Sequence, residues 1–332
     1  MFRVTESGML RKLLAVGLGV GCLSLALSAC GSSTSPTAKH FVIGSMINDM
    51  TNPFEAAIGA AQETVAEKDG MTIHVVSGNV NGTISISAEI SEIEDFIGEH
   101  VNLILVCPSD PNAIVPVIKK ANEAGIPVIA VNSDVGSGAK VVTFIGANNY
   151  TYGVAQAELT DKALGGKGTV ALLQGVLGDS PEVLRTEGFT AQMKKYPNIK
   201  IVAEETDNWT NIADIADVQD LLAKYPVKGE LDAIVAQGPD IYAGANWAIS
   251  HGHTGISYIG GDYPTELKAS IESGAVYGTV NQSPSQQGLL SVEYAYDWLT
   301  GHHSAVVQPI SYTGLPLVTK SNVAKTPAQW SS

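Results

Sequence analysis

The sequence predicts an α/β protein built from two Rossmann-like lobes, each around a parallel sheet. Three observations lead there. From His40 onward, short apolar runs alternate with helix-length segments, the pattern of βαβ units whose sheet is covered on both faces. Pro53, Pro111, Pro181, Pro264 and Pro284 each stand at an expected helix start, where a missing N–H costs nothing. The rhythm then restarts at Gly165-Gly-Lys-Gly168, so the chain reads as two halves of similar cadence.

In the first half, the stretch from Phe41 to Glu55 reads as a short apolar strand, then a polar loop, then a helix from Pro53. Met71–Val76 is a strand, Ser85–Glu99 carries apolar residues at helical spacing, and Leu103–Cys107 is a strand. Pro108-Ser-Asp-Pro111 starts a helix that stops near Gly125, and Pro127–Val131 and Val141–Ile145 follow as strands. A helix over Asn149–Leu164 leads to the restart. The second half gives strands at Thr169–Leu173, Ile199–Ala203, Asp232–Ala236, Ile256–Ile259 and Val276–Val280. Its helices are expected over Pro181–Tyr196, Asn211–Tyr225 and Ile241–Ser250, and from Pro264 and Pro284. Gly165-Gly-Lys-Gly168 lacks the spacing of a phosphate loop and reads as a turn.

In an open α/β sheet, ligands bind beyond the carboxyl ends of the strands. The loop after the first strand puts Ser45, Asn48, Asn52, Phe54 and Glu55 at such a rim, a mixture suited to a polyhydroxylated ligand rather than a phosphate. The 332 residues, 45% hydrophobic and 16% charged, suffice for two globular cores. Net charge is −14; Arg3, Arg11 and Lys12 against Glu6 give the first thirty residues +2, so the remainder stands at −16. With no basic stripe, nucleic acid is excluded as a partner.

Arg11-Lys12 precedes the apolar run Leu13–Leu27, and Leu27-Ser-Ala-Cys30 closes it. This is an export signal over residues 1–30, with Gly17-Leu-Gly-Val-Gly21 inside its apolar part and without nucleotide meaning. The ending resembles a bacterial lipobox, which implies a lipid on Cys30, a flexible tether over 31–38 and anchoring at the outer face of the cytoplasmic membrane, in the cell envelope or periplasm. Cys107 is then the body's only thiol and reads as a buried small hydrophobe. His251-Gly-His253 and His302-His303 lack completing ligands, so neither a metal nor any other cofactor is expected.

Asn52-Pro-Phe54, Gly125-Ile-Pro-Val-Ile129, Arg185-Thr-Glu-Gly-Phe189, Gly260-Gly-Asp262 and Val280-Asn-Gln282 fall in one order along the chain. In this the chain resembles the ribose-binding-protein-like branch of the periplasmic sugar-binding proteins, the solute receptors of ABC importers. The resemblance runs from about His40 to Leu317. It implies a type I periplasmic binding protein: two lobes joined by a three-strand hinge, monomeric, closing on a sugar or sugar alcohol for delivery to a membrane permease. It divides the chain into a first lobe of 38–147 with 283–307 and a second of 148–282 with 308–332. The ligand residues it implies are Ser45, Asn52, Phe54, Glu55, Asn132 and Ser133 from the first lobe, Arg185, Trp209 and Asp262 from the second, and Gln282 at a hinge crossing.

Three departures matter. Glu55 stands where a second stacking Phe is common, Asn132-Ser133 replaces an Asp-Arg pair, and Gly238-Pro239 replaces an Asn-Asp pair. The expected pocket has lost a cation and a flat wall and gained a carboxylate able to accept from two hydroxyls, which favours an acyclic polyol over a pyranose. Two other functions fit the same chain: a receptor feeding a sensor kinase or chemoreceptor, and an exported carbohydrate hydrolase using Glu55 and Asp262.

Overall fold

A computed structural model describes residues 40–328, 330 and 331. The export signal, Cys30 and the tether fall outside the described residues. The first half runs β1 (Val42–Ile47), α1 (Pro53–Lys68), β2 (Thr72–Ser77), a small hairpin of β3 (Asn79–Val80) and β4 (Thr83–Ile84), α2 (Ile86–Gly98), β5 (Leu103–Cys107), α3 (Val115–Glu123), β6 (Val128–Val131) and β7 (Phe144–Gly146). The second half runs α4 (Asn149–Leu164), β8 (Gly168–Gln174), α5 (Ser180–Met193), β9 (Ile199–Thr206), α6 (Asn211–Lys224), β10 (Ala233–Ala236), α7 (Ile241–Ser250), β11 (Ser257–Gly261), α8 (Thr265–Ser273) and β12 (Gly278–Val280). The chain ends with α9 (Pro284–Thr300), β13 (Ile310–Tyr312) and β14 (Leu317–Thr319).

Two six-stranded sheets result, ordered β2-β1-β5-β6-β7-β13 and β9-β8-β10-β11-β12-β14. All pairs are parallel except β12 with β14. Successive side chains of a strand face opposite sides, and both sides are covered. In β5, Leu103, Leu105 and Cys107 join the core under α1 and α9, while Ile104 and Val106 join the one under α2 and α3. In β8, Ala171 and Leu173 pack toward α6, α7 and α8, and Val170 and Leu172 toward α4 and α5. Cys107 is a free, buried core thiol, as its apolar run implied.

The chain passes between the sheets three times: after β7, after β12 and between β13 and β14. Thr313 N donates to Gly146 O at 2.8 Å and Asn281 N to Pro316 O at 3.0 Å, tying the crossings together. One expected boundary moves. The resemblance places the tail from 308 in the second lobe, but Ile310–Tyr312 pairs with Phe144–Gly146 in the first sheet, so the last crossing follows Tyr312. In both sheets strand order reverses next to the first strand, opening a crevice at the carboxyl ends of β1 and β5, and of β8 and β10.

Candidate functional site

The two crevices face one cleft of about 290 Å3. On the first lobe, the loop after β1 supplies Asn48, Asp49 and Asn52 and leads into α1. Asn52 caps that helix, its Oδ1 accepting from Phe54 N at 2.9 Å, and Pro53 follows in the first turn. This places Phe54 and Glu55 at the cleft wall. Glu55 Oε2 accepts from Asp49 N at 3.0 Å. Burial, and then the charges of Asp179 and Asp49, hold its carboxyl well above the usual range. Burial therefore disfavours the charged form of Glu55, which departs from the freely charged two-hydroxyl acceptor expected from its residue type.

On the second lobe, Arg185 projects from the second turn of α5 and is 2% exposed. Its Nε donates to Asn149 Oδ1 at 3.0 Å and its Nη1 to Gln237 O at 2.7 Å, and the guanidinium lies 3.9 Å from the Tyr152 ring centroid. Asp262 Oδ1 accepts from Tyr152 OH at 3.0 Å; burial raises its pKa, while Arg185, Gln282 and Tyr152 oppose the rise. Trp209 lies against the Gly175 backbone so closely that a Cβ at residue 175 would fall within 1.8 Å of the ring. Gln282, from the crossing after β12, completes the wall, and its Oε1 accepts from Gln287 Nε2 at 3.1 Å.

Asn132, Trp209 and Asp262 have φ of 63°, 58° and 56°, the left-handed region that non-glycine residues avoid. All three line the cleft. Strain of this kind collects at ligand clamps, where the surroundings hold the side chain in place.

Eight of the ten expected residues thus line the cleft: Asn52, Phe54, Glu55, Asn132, Arg185, Trp209, Asp262 and Gln282. Ser45 and Ser133 do not. Ser45 is inside the first lobe, its hydroxyl committed to Gln62 at 2.7 Å in a chain that continues to Ser291. Ser133 Oγ instead donates across the cleft to Asp179 Oδ1 at 3.1 Å, a direct bond between the lobes.

The cleft also holds residues that motif matching did not reach: Asp179 at the start of α5, Asp240 at the start of α7, Asn211 and Trp330. Burial pushes both Asp179 and Asp240 up to about 7. Asp-Ser-Pro181 and Pro-Asp240 are helix-start signals at strand ends, so both acids could have been found by the rule that located Asn52. Trp330 follows the last matched motif and carried no such signal. Among the described residues that line the cleft, Arg185 is the only Lys or Arg. No group of His, Cys, Asp and Glu among the described residues could hold a metal ion, and no helix there is long and apolar enough to cross a membrane.

The sequence pattern described as periplasmic binding protein domain matches residues 43–303. The xylitol-binding protein of Mycolicibacterium smegmatis is 28% identical over 91% of this chain and 84% of its own. The ribose import binding protein of Bacillus subtilis is 30% identical over 81% of this chain and 85% of its own. A solved ABC transporter periplasmic solute binding protein from Actinobacillus succinogenes, with bound D-allose, superposes with a TM-score of 0.79 at 22% identity, covering 86% of this chain and all of that one.

Proposed function

The chain belongs to the periplasmic binding protein family, and from that premise we propose that it captures a small sugar alcohol or monosaccharide between its lobes and delivers it to an ABC-type permease. One observation carries the reading: both lobes direct hydrogen-bonding side chains and aromatic rings into a single small cleft. Arg185, Asp262, Asn132 and Gln282 offer the polar contacts; Trp209 and Phe54 offer apolar faces for C–H groups. At about 290 Å3 the cleft lies near the lower end for ligand pockets and suits a ligand of sugar size.

Within that class we favour an acyclic alditol. The Glu55 carboxyl in place of a flat aromatic wall fits a chain of hydroxyls better than the face of a pyranose. The relative named for xylitol supports the same choice. The protein acts as a receptor without turnover, exported and tethered by a lipid on Cys30 to the outer face of the membrane, as a monomer.

A thermal-shift screen of the purified protein against alditols and aldoses tests this. A ligand present at about a hundred times its Kd stabilises by about 2.7 kcal/mol, a readily measured rise in Tm. We expect five-carbon alditols to give the rise. A rise with aldoses alone would overturn the alditol assignment, and no rise in either set would overturn the ligand class.

A further inference from the structure

Trp330 is attached to both lobes at once. Its carbonyl accepts from the backbone N and the Oγ1 of Thr265, at 2.9 and 3.0 Å, on the first residue of α8 in the second lobe. Just before it, Thr326 O accepts from Tyr263 OH at 2.9 Å, so the tail is fixed to the loop that carries Asp262. The ring packs edge-on against Phe54 of the first lobe, with centroids 5.6 Å apart and planes at 82°. The indole lines the cleft and is 9% exposed, and its Nε1 is buried without a partner among the described residues. A buried indole N–H normally finds an acceptor.

We propose that Trp330 is a ligand-contact residue, its ring forming an apolar wall beside Phe54 and its Nε1–H donating to a ligand hydroxyl. The inference rests on the reading of the cleft as a polyol or sugar site and names a residue that specifies it. The chemistry of the wall asks for such a donor. Asp179, Asp240 and Asp262 surround the ligand space with carboxyls, and Arg185 commits Nε and Nη1 to its own lobe. A polyol hydroxyl accepts as well as donates, so it can satisfy the indole N–H that the protein leaves unpartnered among the described residues. Because the same tail is bonded to one lobe and packed on the other, the contact forms only when the lobes meet, and binding and closure draw on it together.

Titration calorimetry of the wild type, W330F and W330A with xylitol, ribitol and D-ribose tests the proposal. W330F keeps a ring against Phe54 and the backbone bonds to Thr265 but removes the donor; it should bind about 5- to 10-fold more weakly with nearly unchanged ligand-free Tm. W330A, which also loses the wall, should bind about 10- to 100-fold more weakly. If W330A does not fold, W330F alone decides. A wild type that binds one of these probes while W330F binds it equally well would overturn the role of Trp330 and leave the functional reading standing. A wild type that binds none would overturn the reading, and with it this inference.

Discussion

Arg185 is fixed by its own lobe: Asn149 and Gln237 hold two of its nitrogens, Tyr152 lies under its plane, and Trp209 stands 5.6 Å away. The remaining edge can meet a ligand without the loss of rotamer freedom that a mobile arginine would suffer. Lysine cannot reproduce a planar fork with two fixed acceptors. R185K should therefore weaken ligand binding by about 10- to 100-fold, measured by titration calorimetry. Asn52 and Asp262 were legible as cleft residues because a helix start and a strand end locate them, whereas Arg185, in the second turn of α5, was reached through the motif Arg185-Thr-Glu-Gly-Phe189. Ser45 and Ser133 were misplaced because a hydroxyl near a turn says nothing about its tertiary partner. Gln62 lies in the next helix and Asp179 in the other lobe.

Helices α4 and α5 cross so closely that two glycines meet the opposite backbone. A Cβ at Gly188 would lie 2.0 Å from Tyr150 O, and one at Gly153 would lie 2.0 Å from Arg185 O. The crossing thus sets the position of the helix that presents Arg185. G188A should force the helices apart, costing about 1–3 kcal/mol and lowering Tm by several degrees in calorimetry. Helix α4 was readable to the residue: Asn148 caps it through a bond to Thr151 N, and the observed and expected spans coincide. Where the cue was proline alone, the boundary moved: α3 begins at Val115, with no side-chain cap, rather than near Pro111. The short strands β13 and β14 had no local signature, since three residues paired with distant partners carry too little pattern to read.

Across the whole molecule, the lobes meet where acids face each other: Glu55 from the first and Asp179 from the second, with Ser133 bonding the latter. Asp179 and Asp240 have folded-state pKa values pushed from the ordinary 3.8 up to about 7, chiefly by burial. Between those values the folded protein keeps protons that the unfolded chain has released, so stability falls as pH rises from about 4 to about 7 and levels off above. The ligand-free protein should melt higher at about pH 5 than at about pH 8, and D179N should flatten that difference in calorimetry. The two-lobed plan itself was legible because its signals repeat along the chain. The assignment of the tail was not, because it depends on which sheet edge is open.

The first sheet takes its edge strand, Ile310–Tyr312, from near the carboxyl terminus, and α9 packs on α1 from almost as far along. The lobe that the ribosome begins first is therefore still incomplete when the main body of the second has been made. Until residue 312 has been made, the first lobe lacks a strand and the helix that covers Ile58 and Ile129. A nascent chain released early would carry that apolar face bare, so the second lobe, whose main strands and helices lie in one stretch from 149 to 280, is the better candidate for the first body to form.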